Sequence, residues 1–313
     1  MTIKKCERKE YEALLVMLNR AFGYKDNWFE RNLSTCTPYE KIATDEQISR
    51  HYIAVKDNEI IGCVGAYPRE LAIGGALTVN GFGIGQVSCK KEERGQGVMS
   101  ALMDAAIDSE VKEGAVLSYL WGDIPRYGHF GFKPAGGKIE FSSIKARRIS
   151  QSVDMDGFDA RKPELSDIEA MAKLYSRFEA RVIRKGEHWQ ESLKRENFEC
   201  LFTQGNDGGA YLFAKANEKI IVEIQGDVAA TRKLLIYYAQ KRGFDELAVH
   251  YPYMWHGCDR LYNFLKENTS WYTVQPAALA AAFGSSGDIE QLNPIFGIGE
   301  KRYTFWISEI DYV

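Results

Sequence analysis

The chain is 313 residues long, 45% apolar and 27% charged, with a formal net charge of −3. That length suits two domains of ordinary size, the charge balance offers no basic excess for a nucleic-acid partner, and no apolar run approaches the ~20 residues a membrane helix needs. The six cysteines, at 6, 36, 63, 89, 200 and 258, form no Cys-x-x-Cys pair, which points to reduced thiols in a cytoplasm and away from structural zinc. Met1 to Cys6 lacks the apolar core of a leader peptide. His256-Gly257-Cys258 has no second pair to join it and reads as a loop.

Ile3 to Cys6 reads as a short strand, and Glu10 to Phe22 as a helix with Tyr11, Leu14, Leu15, Leu18 and Phe22 on its apolar side. Gly23 to Thr44 is aromatic and mixed in charge, suited to walling a cleft. Asp26 and Glu30, among Tyr24, Trp28 and Phe29, either attract a cationic group or are solvated carboxylates on a surface helix. His51 to Lys56 and Ile60 to Leu71 predict a hairpin across Asp57-Asn58-Glu59. Leu77 to Val87 is a strand in which Gly81, Gly83 and Gly85 alternate, so one face is bare; that weakens a strand unless something approaches it closely.

The stretch from Val87 to Met103 carries the strongest signal. A strand ends, a charged turn follows, and Arg94-Gly95-Gln96-Gly97 opens directly into a helix with Val98, Met99, Leu102, Met103, Ala106, Ile107 and Val111 on one face. Gly114 stops that helix, and Ala115 to Trp121 reads as a buried strand. Free amides converge at a helix N-terminus, the helix dipole adds positive potential, and glycines let an anion approach the backbone; the loop therefore points to a phosphate-bearing ligand. Neither Gly-x-x-x-x-Gly-Lys-Ser/Thr nor Gly-x-Gly-x-x-Gly is present, which sets aside the common nucleoside-triphosphate and dinucleotide loops. The strand–loop–helix–strand order favours a parallel pair.

The loop resembles motif A of the GCN5-related N-acetyltransferases (GNAT), Gln/Arg-x-x-Gly-x-Gly/Ala, with Arg94, Gly97 and Met99 in the three specified places. Met99 departs from Gly/Ala, as in the Eis-type (enhanced intracellular survival) branch, where Arg-Gly-x-Gly-x-Met occurs. Downstream, Tyr127-Gly128-His129-Phe130-Gly131-Phe132 is similar to the Tyr-x-x-x-Gly-Phe segment that follows the fifth strand of these enzymes. Alone, the loop is an ordinary strand-to-helix turn and Tyr127 a core tyrosine; it is their conjunction, in order and separation, that carries the resemblance.

The resemblance implies a mixed α/β fold and acetyl-CoA as co-substrate, with no metal. It implies that Val87, Ser88 and Cys89 hold the thioester region, and that Arg94 with the amides of Gly95, Gln96, Gly97, Val98, Met99 and Ser100 holds the pyrophosphate. Tyr127 would be the general acid for the departing thiolate. The glycine stripe would admit the acyl donor, unless a bulge or tight packing accounts for it. Transfer would be direct, with Cys89 a small hydrophobe rather than an acyl carrier. The acceptor is a small-molecule or peptide amine; Asp26 and Trp28 are candidates to bind it, and the general base is unassigned. A bacterial, cytoplasmic enzyme follows, and a homo-oligomer is compatible with it. The alternative is a catalytically inactive acyl-CoA-binding or scaffolding protein.

The second half echoes the first. Ser142 to Ala160 is polar and reads as a linker, giving a catalytic domain over 1–145, a linker over 146–160 and a degenerate second domain with a C-terminal extension over 161–313. Pro163 to Met171 begins a helix, Ala210 to Ala216 and Ile220 to Gln225 form a hairpin, Thr231 to Lys241 is a helix ended by Gly243, and Glu246 to Tyr251 is a strand. Helix Asp259 to Glu267 follows. No Arg-Gly-x-Gly lies between the hairpin and its helix, so two related folds with one active site are expected. The ~40 residues after Tyr272 are too few for the sterol-carrier-like third domain of the Eis-type group, whose first helix Pro276 to Ala280 faintly resembles. A strand over Tyr303 to Ser308 is expected in the tail.

Overall fold

A computed structural model describes residues 1–25, 27–29, 43–75, 77–205, 208–253, 260–297 and 305–311. In the first half the elements are β1 (Thr2–Lys5), α1 (Arg8–Phe22), α2 (Asp45–Ser49), β2 (His51–Lys56), β3 (Glu59–Ile73), β4 (Leu77–Cys89), α3 (Val98–Lys112), β5 (Leu117–Leu120), α4 (Ile124–Tyr127), β6 (Lys133–Ala135) and β7 (Lys138–Lys145). The second half contributes α5 (Ala146–Ile149), α6 (Ile168–Tyr175), β8 (Arg181–Val182), α7 (Gly186–Lys194), β9 (Phe198–Gly205), β10 (Gly208–Lys215), β11 (Ile220–Gly226) and α8 (Val228–Arg242). Then come β12 (Glu246–Pro252), α9 (Arg260–Asn268), β13 (Trp271–Gln275), β14 (Ala278–Ala282) and α10 (Ser286–Leu292).

Local chemistry accounts for the main boundaries. A capping box between Glu7 and Glu10 starts α1, and Gly23 ends it in the left-handed region (φ 71°). Between β2 and β3, Asp57 and Asn58 both take positive φ (50° and 62°), the twist that a two-residue hairpin turn requires. The sheet between them is covered on both faces. Phe82 and Ile84 pack with Leu102 and Met103 of α3, whereas Ile53 and Cys63 pack with Leu14 and Leu18 of α1.

The first sheet has the order β1-β2-β3-β4-β5-β14-β6, with β8 beside the end of β3; the second has the order β13-β7-β12-β11-β10-β9. Each sheet is thus a meander followed by a parallel neighbour (β4 with β5, β11 with β12) and a final strand inserted antiparallel. That inserted strand comes from the other half. β14 lies between β5 and β6, and β7 lies between β12 and β13. The two halves repeat one fold and exchange one strand each, a swap within a single chain. Neither sheet is a continuous interval, so a boundary at 145 divides the chain but not the sheets.

Three expectations need correcting. Ser142 to Lys145 is not linker but the end of β7, and α5 follows it at once. Pro276 to Ala280 is no helix start: Ala278 to Ala281 are all buried between two strands, where small side chains fit. The described part of the expected tail strand, 305–308, pairs with no strand; Phe305 and Ile307 are buried beside β14 residues in the core between the halves.

Candidate functional site

β4 pairs with β5 only at Gly81, Phe82 and Gly83, and then the two strands part. The cause is a bulge. The β3–β4 register shifts between Cys63 and Gly65, and Gln86 takes φ 47°, so β4 carries an extra residue and turns away. A buried polar chain backs the bulge. His51, 0% exposed, has Nδ1 3.1 Å from the Ile48 carbonyl and Nε2 3.1 Å from the Tyr67 hydroxyl, which also meets the Gln86 carboxamide. Burial lowers the His51 pKa to about 4, so the ring is neutral at neutral pH. A Cβ on Gly65 would overlap the Gln86 and Tyr67 side chains, so this close approach requires glycine.

Beyond the parted strands lies the glycine loop. Gly95 and Gly97 take φ of 78° and 77°, and a Cβ on either would enter open space. Gly97 is the residue that caps α3, and no side chain caps the first turn. The amides of that turn are therefore available to an anion. The Arg94 side chain is exposed and makes no hydrogen bond or ion pair among the described residues. A cleft of about 550 Å³ opens here, bordered by Val87, Ser88, Cys89, Arg94, Gly95, Gly97, Val98, Met99 and Ser100. Nine of the ten residues expected to hold the donor border this cleft, and the side chain of the tenth, Gln96, donates from its carboxamide to the Glu92 carbonyl at 3.2 Å. Burial raises the Cys89 thiol pKa, against the pull of Arg94, so the thiol stays protonated.

α4 begins where the Asp123 carboxylate accepts from the Arg126 amide at 2.9 Å. Tyr127 at its end is 6% exposed, wedged over Gly122, with the Phe132 ring edge-on at 6.3 Å. Burial raises its pKa, a hydrogen bond with Arg126 opposing, so its proton is retained. Arg126, which the sequence reading passed over, borders the cleft; Tyr127 lies behind it in the core. The His129 and Phe130 rings lie 4.0 Å apart, tilted by 42°. Trp28 stacks on Tyr24 at 4.3 Å, while Asp26 and Glu30 lie outside the described residues.

The second sheet repeats the parting without the loop. β11 pairs with β12 at Ile220 and Ile221 only, and then runs through Asp227 straight into α8. Past the pairing, Glu223 is met by two hydrogen bonds from Arg184, at 2.8 and 2.6 Å, and by the Tyr211 hydroxyl at 2.9 Å. Among the described residues there is no group of His, Cys, Asp and Glu suited to a metal ion, and no helix long and apolar enough to cross a membrane.

Residues 2–135 match the model of the acetyltransferase (GNAT) domain. No curated protein sequence matches the chain. Among solved structures, the chain is similar to a GCN5-related N-acetyltransferase from Kribbella flavida (TM-score 0.66, 17% identity, 89% of this chain and 70% of that one). It is also similar to a probable N-acyltransferase from Enterococcus faecalis (TM-score 0.67, 18% identity, 90% and 72%). A third similar structure is Eis1 from Mycobacterium abscessus (TM-score 0.61, 13% identity, 90% and 74%). At these identities the likeness is one of fold, and it extends over both halves.

Proposed function

We propose, from the match of residues 2–135 to the acetyltransferase (GNAT) domain model, that the protein is an N-acetyltransferase that moves an acetyl group from acetyl-CoA directly to a primary amine. The carrying observation is the parting of β4 from β5 beside an uncapped helix N-terminus, in one cleft with Arg94. A thioester lying between the strands would meet β4 backbone N–H groups that no longer serve the ladder, which are worth most where charge develops on the carbonyl oxygen. Gly95 and Gly97 leave room for phosphate oxygens, and Arg94 supplies a charge with no competing partner.

When the neutral amine attacks, a carbon–nitrogen bond forms and the carbon–sulfur bond breaks; the nitrogen sheds one proton, and the departing thiolate takes one up. Tyr127, whose burial keeps it protonated, is the donor in this reading, and the second half contributes walls rather than a second site. The burial of Tyr127 behind Arg126 favours one rival, an acyl-CoA-binding protein without turnover. Calorimetric titration with acetyl-CoA, followed by an amine panel on wild type and Tyr127→Phe, separates the two. Absence of binding sinks both; binding without turnover on any amine leaves the rival; turnover untouched by the substitution removes Tyr127 from the chemistry.

A further inference from the structure

An open sheet ends in strands whose outer backbone groups have no neighbour, and an edge left flat, apolar and uncharged pairs readily with another chain. The two sheets here end in β1, β6, β9 and β13. Three of these edges are guarded. β1 carries Lys4 and Lys5, which pair with Glu10 at 2.9 Å and Glu113 at 3.2 Å. β6 is three residues long and contains Lys133 and Pro134. β9 is partly covered, because Arg161 and Phe202 exchange backbone hydrogen bonds of 3.1 and 2.9 Å, and its Glu199 pairs with Lys241 at 3.2 Å.

β13 has none of these devices. It pairs with β7 on one side, and no described strand lies on the other. It contains no proline, glycine or charge, and the chain has no charged side chain anywhere between Glu267 and Asp288. All five residues are exposed, Trp271 at 55% and Tyr272 and Val274 at 47% each. Trp, Tyr, Thr and Val are residues that suit a pleated, half-buried surface, and this strand presents them to solvent.

The strand is complementary to itself. An antiparallel copy related by a two-fold axis through Thr273 sets Thr273 opposite Thr273, Tyr272 opposite Val274 and Trp271 opposite Gln275. It is the one two-fold register that gives all five residues a partner. On β7, Phe141 lies opposite Tyr272 and Ile139 opposite Val274, and both are buried in the core of the second half. The Phe141 ring meets Tyr272 edge-on at 6.3 Å and Tyr262 of α9 at 5.4 Å, so this face of the sheet is the one that α9 covers. Across the axis the row would read Phe141, Tyr272, Val274, Ile139, the last two from the second copy. One apolar core would thus run into the other, with an aromatic ring beside a β-branched side chain at each crossing. On the opposite face Trp271 meets the Gln275 side chain, and no like charges stand directly opposed.

We infer that β13 is the contact through which two copies of this chain pair edge to edge, joining their second sheets into one continuous sheet. A strand from an unrelated protein would be held by main-chain hydrogen bonds, with no charge or pocket on β13 to select its side chains, whereas a second copy is selected by the Tyr272–Val274 rows. The contact is one short strand with two half-exposed aromatic rings. That places it in the small class of interfaces, under ~1,200 Å² in total, so the dimer is reversible and forms at micromolar concentration.

Sedimentation velocity on the full chain, from about 1 to 200 µM, should show monomer passing to dimer. Thr273→Lys sets two like charges across the axis and should raise the dissociation constant by about tenfold or more, with circular dichroism unchanged because the residue is exposed. Thr273→Cys should give a disulfide-linked dimer on mild oxidation, since directly opposed residues stand ~4.5–5.5 Å apart, within disulfide reach. Gln275→Cys should not, because its two copies stand four residues out of register, about 13 Å apart; wild type under the same oxidation gives the background from the native cysteines. A chain that stays monomeric over the whole range overturns the inference and leaves the edge to a strand of another protein. A dimer indifferent to Thr273→Lys, or Gln275→Cys cross-linking as readily as Thr273→Cys, overturns it as well. Should Thr273→Lys not fold, the two cysteine variants decide in its place.

Discussion

Leu279 lies opposite Leu120 in an antiparallel pair, so a strand from the C-terminal half completes the sheet of the N-terminal half. Both side chains are buried in the core beneath α3, with Phe82 and Leu102. The hinges that permit the exchange are two residues long, Gly136-Gly137 before β7 and Pro276-Ala277 before β14. At such a length each strand either folds back on its neighbour or crosses to the other sheet, and this chain crosses twice.

Truncating Leu279 should therefore weaken the half to which it does not belong in sequence. Leu279→Ala removes a buried side chain and should cost about 2–5 kcal/mol. Hydrogen exchange should speed up at Leu117 to Leu120 of β5 more than in β9 and β10. A loss confined to the second sheet would contradict the exchange.

Gly136 is a second sensitive point. It takes φ 60°, and a Cβ there would collide with the Phe305 backbone, which approaches because Gly137 donates to the Phe305 carbonyl at 3.2 Å. Gly136→Ala should lower the melting temperature by several degrees or prevent folding, whereas Gly157→Ala, also at positive φ (68°) but in open space, should cost only about 1–2 kcal/mol.

At the glycine loop, binding and stability should separate. Arg94→Gln removes an exposed side chain without a partner, so thermal stability should move by no more than about 0.5 kcal/mol. Acetyl-CoA affinity should nevertheless fall about tenfold or more, as expected when a charge-assisted hydrogen bond is lost. Calorimetry and a melting curve on the same preparation check both halves of this expectation.

Acid should act through Glu309. Its carboxylate lies 2.7 Å from His250 Nδ1, 3.5 Å from Lys138 and 3.0 Å from Lys215. Burial pushes its pKa up, but His250 and the two lysines outweigh burial and hold it at about 2, against an ordinary 4.5. A folded value below the unfolded one stabilises the protein above pH 4.5, and that stabilisation drains away as pH falls from there towards 2. Glu309→Gln should remove up to about 3 kcal/mol at neutral pH and flatten the acid limb of a plot of melting temperature against pH.

The Arg184 cluster should be intolerant of halving. Arg184, Glu223 and Asp311 are buried together, so Arg184→Met leaves two carboxylates without their partner and should cost about 3–5 kcal/mol. Replacing Glu223 by Gln in the Arg184→Met background should recover part of that loss. Unfolding in urea gives both numbers.

Some of this protein is written locally, and some is not. Helix α1 could be read from the spacing of Tyr11, Leu14, Leu15 and Leu18, and the β2–β3 turn from Asp57-Asn58. The glycine loop was legible because Arg94 to Ser100 are neighbours in sequence and the cleft they border is built from their own backbone. Periodicity and turn chemistry act within a few residues, so a single strand of text contains them. The destination of β7 and β14 is not a local property. Either strand satisfies the same alternation in either sheet, and the choice rests on the packing around Gly136, Phe305 and Leu279. Gly81 and Gly83 announced a bare strand face from the sequence alone, but only the tertiary structure decided what stands beside it.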